Sequence, residues 1–406
     1  MKVLEINSSC EWGSTGRNVV EIADYLNDRG IECHIAHTSG SHYKYEHIIG
    51  NTVINKIHAL LSRIIGWQEI YSIYPTLKLI RYINKSDFDV VNLNNIHSNY
   101  LSYPLLMKAL IKSNCGIVLT LHDCWFYTGK CTHYTSDKCF KWQNACGNCP
   151  RLKKDIKSWL FDFTNKMLSQ KAKLYDKASR KMAVIGVSDW ITGEAKKSVL
   201  RNSAIITRIY NWIDTDIFKP KEPKEINQDL LSKLDCKNKK VLLGVAAGWS
   251  DDKGLSDFIK LAKALSSDYK IILVGEEIEK REMPDNIQIV GRTENIEELV
   301  DYYNIADCFL SLSTEESFGK AVAEALSCGT PAVVYNSTAS PELVGENCGY
   351  IVAKHDLSEL SNSVIEICSK GKKSYMEECR KFSCMNFDKT ANIEKYLDIF
   401  KEIGRI

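Results

Sequence analysis

The sequence lacks any apolar run near the ~20 residues needed to cross a bilayer. No membrane-spanning helix is therefore expected. It also has almost no net charge, with 53 Lys and Arg against 51 Asp and Glu for a balance of +2. That gives no global reason to expect a nucleic-acid partner. Low-complexity segments and short repeats are missing as well. The first residues, Met1-Lys2-Val3-Leu4-Glu5-Ile6-Asn7, set one Lys and then acidic and polar groups in a short apolar run. They read as a first strand and not a signal peptide, so a cytoplasmic protein is expected.

At 406 residues the chain exceeds what one hydrophobic core usually serves, so two domains of roughly 200 residues each are expected. An apolar fraction of 44% and a charged fraction of 26% suit a soluble globular protein. In the front half, β-rich runs at 3–7, 33–37, 90–93, 117–121, 183–187 and 205–209 alternate with helical patterns. Such alternation predicts a parallel sheet covered by helices on both faces. The pattern breaks at Phe218-Lys219-Pro220-Lys221-Glu222-Pro223-Lys224, where two prolines among charges predict a linker. It restarts with strands expected at 241–246, 271–274, 287–290, 308–312, 332–335 and 349–352. The fold class is thus α/β, with two doubly wound Rossmann-like domains at 1–218 and 219–385. A final amphipathic helix at 386–406 carries Ile393, Tyr396, Leu397 and Phe400 on one side, and could cap either domain or cross back to the first.

The most informative stretch runs from Ser311 through Glu316-Ser317-Phe318-Gly319-Lys320 and Glu324 to Pro331. A buried strand ends near Ser311, a polar loop follows, and a helix starts near Gly319 and stops at Gly329. Backbone N–H groups of the turn 317–320 would face outward at a positive helix end, ready for a phosphate. In open α/β sheets ligands bind at the carboxyl ends of strands, and this loop occupies such an end. Glu324 would accept from ribose hydroxyls, and Glu316 would touch a sugar beyond the phosphates. Two glutamates alone fit a capped helix with solvated acids equally well.

The spacing Glu316-x₇-Glu324 within this stretch resembles the donor-site motif of glycosyltransferase family 4, retaining enzymes of the GT-B fold. Gly291-Arg292, Glu298-Leu299 and Tyr303-Asn304-Ile305-Ala306-Asp307-Cys308 resemble the segment that precedes those glutamates. Pro341-Glu342-Leu343-Val344 and Cys348-Gly349-Tyr350-Ile351-Val352 resemble the segment after them. The resemblance implies two Rossmann-like domains facing a central cleft and a nucleotide-sugar donor. It also implies no metal cofactor for catalysis.

Lys253 and Gly254 follow the first strand of the second domain, where a lysine could neutralise a diphosphate and a glycine lets the backbone come close. A surface-loop lysine is the plainer reading. The family usually has an Arg near this point as well; here Trp249 stands in its place, leaving Lys253 alone or with Lys320 or Arg292. In the first domain, Gly13-Ser14-Thr15-Gly16-Arg17 forms a glycine loop before a helix. The family carries a comparable loop facing the donor phosphates, which makes Gly16 and Arg17 candidate donor contacts. His122 in Thr120-Leu121-His122-Asp123 resembles the family's histidine that contacts the transferred sugar; a histidine merely hydrogen-bonded at a strand end is the alternative. Asp123 could orient the imidazole or bind acceptor. Asn211-Trp212-Ile213-Asp214 resembles the hinge that ends the first domain, with Trp212 for the usual Gly.

Fifteen cysteines are many for a cytoplasmic protein, and most sit singly in apolar runs as small hydrophobes. Four differ. Cys131, Cys139, Cys146 and Cys149 lie in an aromatic-rich insertion at 124–152, and the Cys-x₂-Cys pair suggests a structural zinc site. Disulfides, which the cytosol disfavours, and buried thiols are the competing readings. The following stretch, 151–181, holds ten Lys/Arg and three Asp with Trp159, Leu160, Phe161, Phe163, Met167 and Leu168 interleaved. It reads as a solvated helix or as a peripheral surface at the inner face of the plasma membrane.

The expectation is a retaining hexosyltransferase that moves sugar from a UDP- or GDP-sugar to a glycan or lipid-linked acceptor in bacterial surface polysaccharide synthesis. The rivals are another GT-B enzyme, such as a nucleotide-sugar epimerase, and a non-enzymatic module that binds nucleic acid through zinc and a basic patch.

Overall fold

A computed structural model describes residues 1–236, 238–277 and 281–404. Its contacts divide the chain into two compact units, Tyr210–Asn392 and a first unit of Met1–Ile209 joined by the chain from Ile393 onward.

The first unit is built on β1 (Lys2–Ile6), β2 (Ser9–Cys10), β3 (Glu32–His37), β4 (Ser39–Gly40), β5 (Glu46–Ile48), β6 (Val90–Leu93), β7 (Gly116–Leu121), β8 (Met182–Gly186) and β9 (Ile205–Arg208). Seven of these form one sheet in the order β5-β3-β1-β6-β7-β8-β9, all parallel, while β2 and β4 pair separately. Every residue of β6, β7 and β8 is buried, as expected of strands covered on both faces. The second unit has β10 (Lys240–Trp249), β11 (Tyr269–Glu277), β12 (Ile287–Val290), β13 (Cys308–Ser311), β14 (Ala332–Tyr335) and β15 (Gly349–Val352). Their order is β12-β11-β10-β13-β14-β15, again parallel. Counted within the unit this is the 3-2-1-4-5-6 order of a dinucleotide-binding sheet.

Three details differ from the sequence reading. The contact boundary at 209/210 lies ahead of the proline-containing stretch, which belongs with the second unit. Tyr210 packs on Phe318 and Phe387, and Phe218 on Tyr303. Lys221 Nζ reaches Asp301 at 2.5 Å, and Arg380 donates to the Phe218 and Thr215 carbonyls. Apolar and ionic ties hold the segment that charge and proline marked as a linker. Second, β10 runs on to Trp249 through a register shift between Val245 and Gly248. Third, helix Thr164–Ala178 is not a uniformly solvated face. Met167 and Leu168 are buried, and the Lys171 ammonium is fully buried, 2.9 Å from Glu69 and stacked on the Trp125 ring.

The terminal helix Lys389–Ile403 buries Ile393, Tyr396, Leu397 and Phe400. Its end lies against β7, where a Cβ on Gly116 would meet the Ile403 carbonyl oxygen at 2.6 Å. Among the described residues no helix is long and apolar enough to cross a membrane.

Candidate active site

In a sheet of this order the strands on either side of the reversal lead in opposite directions, leaving a crevice at their carboxyl ends. In the second unit the reversal lies between β10 and β13. The turn after β10 supplies Lys253, and the loop after β13 supplies Glu316. Lys253 Nζ and Glu316 Oε1 are 2.5 Å apart, so an ion pair spans the crevice. Glu316 raises the Lys253 ammonium above the usual lysine range and keeps it charged. The loop is pinned on both sides: Thr338 Oγ1 accepts from Glu316 N at 2.8 Å, and the Asp252 carbonyl accepts from Thr314 N at 3.0 Å.

Gly254 is required here twice over. Its φ is 84°, and a Cβ would lie 2.5 Å from both Leu312 Cβ and the Leu312 carbonyl oxygen. The turn carrying Lys253 is thereby pressed against the end of β13. Gly319, at φ 100°, precedes helix Lys320–Ser327, whose N-terminus no side chain caps. The positive helix end expected at 317–320 is therefore formed, with Lys320 as its first residue. The Phe318 side chain turns away into the core against Tyr210 and Phe387, and Ser317 is buried, so these two offer backbone and not side-chain groups to a ligand. Glu324 is buried, and its Oε2 accepts from Tyr303 Oη at 2.7 Å.

Arg292 stands apart. It follows edge strand β12, and its Nε pairs with Glu276 at 3.0 Å, not with Glu316. Trp249 is buried, edge-on to Phe258 with ring centroids 5.3 Å apart. The residue in the place of the family's arginine is thus a core residue.

In the first unit the reversal lies between β1 and β6. Residues just after these strands meet there: Asn95 N donates to Asn7 Oδ1 at 3.1 Å and Asn95 Nδ2 to Thr15 Oγ1 at 3.2 Å. The expected glycine loop is already helical, since helix Gly13–Asp28 begins at Gly13. Gly16 is buried in its first turn, where a Cβ would meet Ser9 Oγ at 3.0 Å, and Arg17 is exposed one residue on.

His122 follows β7, and its Nε2 lies 3.0 Å from Asn94 Oδ1. Asn94 Nδ2 in turn donates to Glu5 Oε2 at 2.8 Å, and Asn92 Nδ2 donates to both Glu5 oxygens at 3.1 and 2.9 Å. Burial raises the Glu5 carboxyl from 4.5 to about 7, despite the opposing pull of Asn92 and Asn94. Asp123 does not orient His122. Its Oδ2 pairs with His97 Nε2 at 2.7 Å, and its Oδ1 accepts from Trp125 N at 2.8 Å. Burial pushes Asp123 up, but His97 and these hydrogen bonds outweigh it and hold the carboxyl below its usual range. Glu5, Asn94 and His97 were missed by the sequence reading. The signal was available as Asn92-Leu93-Asn94-Asn95, polar residues crowding the end of a buried strand.

The four cysteines of the insertion line one small cavity of about 20 Å³, together with Tyr134 and Trp142. None is in a disulfide. A thiol hydrogen bond from Cys131 lowers Cys149 to about 7. The same contact, with burial, raises Cys131, and burial pushes Cys146 up to about 11. Among the described residues, however, no three His, Cys, Asp or Glu side chains are set to hold a metal ion. The insertion is already clamped by a cation. Buried Lys130 Nζ donates to the carbonyls of Arg151, Leu152, Lys154 and Ile156 at 2.9, 2.9, 3.2 and 2.7 Å.

The chain matches two family descriptions in succession, "Glycosyltransferase Family 4" over residues 15–217 and "Glycosyl transferases group 1" over residues 227–383. It is 21% identical over 378 residues to the N-acetyl-alpha-D-glucosaminyl L-malate synthase of Bacillus anthracis, covering 90% of this chain and 87% of that one. Anabaena HepE in complex with UDP shares its fold, with a TM-score of 0.71 at 16% identity over 99% of this chain and all of that one. HepE has also been solved with UDP-glucose. WaaG, a glycosyltransferase involved in lipopolysaccharide biosynthesis, gives a TM-score of 0.64 at 14% identity, covering 98% of this chain and 99% of that one.

Proposed function

We propose, from the premise that this chain belongs to glycosyltransferase family 4 and is a hexosyltransferase of the GT-B fold, that it transfers sugar from a UDP- or GDP-sugar with the donor's anomeric configuration retained. The acceptor in this reading is a glycan or a lipid-linked glycan of bacterial surface polysaccharide, met on the cytoplasmic side of the plasma membrane. The observation that carries it is the Lys253–Glu316 pair across the crevice of the second sheet, beside the uncapped helix start at Gly319. The UDP and UDP-glucose complexes of HepE and the lipopolysaccharide role of WaaG support the donor and product classes.

As the glycosidic bond breaks, negative charge gathers on the departing diphosphate. A lysine held charged and a set of fixed N–H groups stabilise that charge without reorganising, the usual source of the largest catalytic term. Glu316 aims Lys253 and accepts from sugar hydroxyls, and Glu324 takes the ribose. Diphosphate charge is assigned to Lys253 and the helix end, so the proposal includes no divalent metal in the reaction. His122, fixed by Asn94, is the contact to the transferred sugar. No enzyme nucleophile is assigned.

The test is a panel of UDP- and GDP-sugars assayed for nucleotide release. Glu316→Ala should lower turnover by about 10²-fold or more while leaving the melting temperature nearly unchanged. If wild type binds and turns over none of the panel, the donor assignment is lost.

A structural zinc ion at Cys131, Cys139, Cys146 and Cys149 is proposed for the insertion. Its support is four unbridged thiols around one cavity. Binding would draw the thiols closer than they now stand. Zinc content near zero in protein purified under reducing conditions would end this reading.

A further inference from the structure

Helix Thr52–Ile65 is apolar on two sides: Ile54, Leu61, Ile64 and Ile65 are half-buried, yet a second apolar stripe faces water. A surface helix normally hides its apolar stripe and shows a polar one. This one hides His58 and Ser62, with His58 bonded through Nδ1 to Ser72 Oγ at 2.7 Å and through Nε2 to the Gln68 carbonyl at 2.8 Å. It shows Val53, Ile57 and Leu60, which are 65%, 54% and 48% exposed. Spacings of four and three put them on one stripe. The helix contains no Asp or Glu, and its Lys56 and Arg63 are exposed.

A second apolar segment abuts its end. Trp159 N donates to the Arg63 carbonyl at 2.6 Å, and Trp159, Leu160 and Phe161 are 51%, 65% and 53% exposed. Six large apolar side chains, on two segments that meet at Arg63, are thus exposed, more than scattered exposure accounts for. Just past the helix, Trp67 enters a groove of about 620 Å³ lined by Lys108, Lys112, Lys166, Lys173 and Lys177. The groove and the patch are continuous through Phe163, whose ring lies 5.3 Å from Trp67 and 5.0 Å from Lys166 Nζ.

We propose that helix Thr52–Ile65 and the 159–161 loop seat the first unit on an anionic lipid bilayer, with the five-lysine groove taking the headgroups. Charge chooses this occupant. Five ammonium groups in one groove would repel the same groove on a second copy, whereas anionic headgroups neutralise them. Apolar side chains flanked by Lys and Arg are what an interfacial segment needs. The membrane contact expected along 151–181 is thereby extended to the 52–65 helix, with the 159–161 loop and the lysines of the 164–178 helix keeping their part in it. The proposal rests on the membrane-side acceptor reading for its purpose. Its test uses no donor, acceptor or turnover, so either can fail without the other.

The full chain is sedimented with phosphatidylcholine vesicles and with vesicles containing about 30% phosphatidylglycerol. Binding is expected to the anionic vesicles and to weaken at high salt. The triple variant Val53→Ser/Ile57→Ser/Leu60→Ser should lose at least about tenfold in partitioning, and Lys166→Ala and Lys173→Ala about fivefold each. All three positions of the triple variant are exposed, so its melting temperature should hold. If it falls, Trp159→Ser/Leu160→Ser/Phe161→Ser supplies the same readout from the loop. Wild type that ignores both vesicles, or a triple variant that binds as wild type does, overturns the proposal. So does a wild-type dimer that the triple variant dissolves while neither binds lipid.

Discussion

Glu5 offers the sharpest test of the polar chain beneath His122. Its carboxyl rises from 4.5 to about 7 inside the fold. At about 1.4 kcal/mol per unit this corresponds to about 3 kcal/mol. The sign follows from proton counting. Below the unfolded value both states hold the proton; between 4.5 and about 7 only the folded state does, so stability falls as pH rises and the full loss persists above about 7. Cys33 and Tyr396 also face this carboxylate, but burial raises both above their usual ranges, so neither titrates in that window. Glu5→Gln mimics the protonated form. Its melting temperature relative to wild type should therefore climb between about pH 5 and 8 by the equivalent of about 3 kcal/mol, roughly 6–12 °C for a unit of this size. A second readout is independent of stability. Ionised Glu5 only accepts, so Asn94 must offer Nδ2 to it and Oδ1 to His122, which fixes the His122 proton on Nε2. The amide introduced by Glu5→Gln can donate as well as accept and so releases that constraint, and imidazole ¹⁵N shifts should report a change of tautomer. A melting difference flat with pH, together with an unchanged tautomer, would refute the reasoning.

Other substitutions probe the frame around the two crevices. Lys171→Met strands the buried Glu69 carboxylate and should cost about 3–5 kcal/mol in denaturant unfolding, most of it recovered in Lys171→Met/Glu69→Leu. Gly254→Ala forces a side chain into left-handed backbone against Leu312; about 2 kcal/mol or more of stability should go, and donor turnover with it. Trp249→Arg restores the family's residue type, yet it would bury a guanidinium where an indole packs on Phe258. Thermal unfolding should show a loss of several kcal/mol and no gain in donor affinity.

Much of the frame was legible because it depends on local pattern. Each of the twelve strands read from the sequence is present to within a few residues; among the described residues only short β5 and the β2–β4 pair went unread. Buried parallel strands announce themselves as apolar runs, whereas a two-residue pairing carries no periodicity. Lys253 and Glu316 were legible as separate motifs, since each follows a strand and precedes a helix. Their contact was not, because it depends on β10 and β13 being neighbours across 63 positions of sequence. Trp249 read as a substituted ligand for the same reason: nothing local shows that its ring turns inward.

The unread part is polar and buried, and that is a physical regularity. A lone Glu, Asn or Lys in sequence is most often a solvated side chain, so composition argues against placing Glu5, Lys130 or Lys171 inside. Each is inside because long-range partners satisfy it: Asn92 and Asn94 for Glu5, four carbonyls for Lys130, Glu69 and two carbonyls for Lys171. Burying such groups without partners would cost several kcal/mol apiece, so their partners must be in place once the fold forms. These three lie in the first unit, under His122 and through the cysteine insertion. The second unit instead grips its crevice through one lysine, one glutamate and two glycines whose motifs are local. The second unit's crevice was therefore readable from the sequence, and the first unit's polar network required the fold.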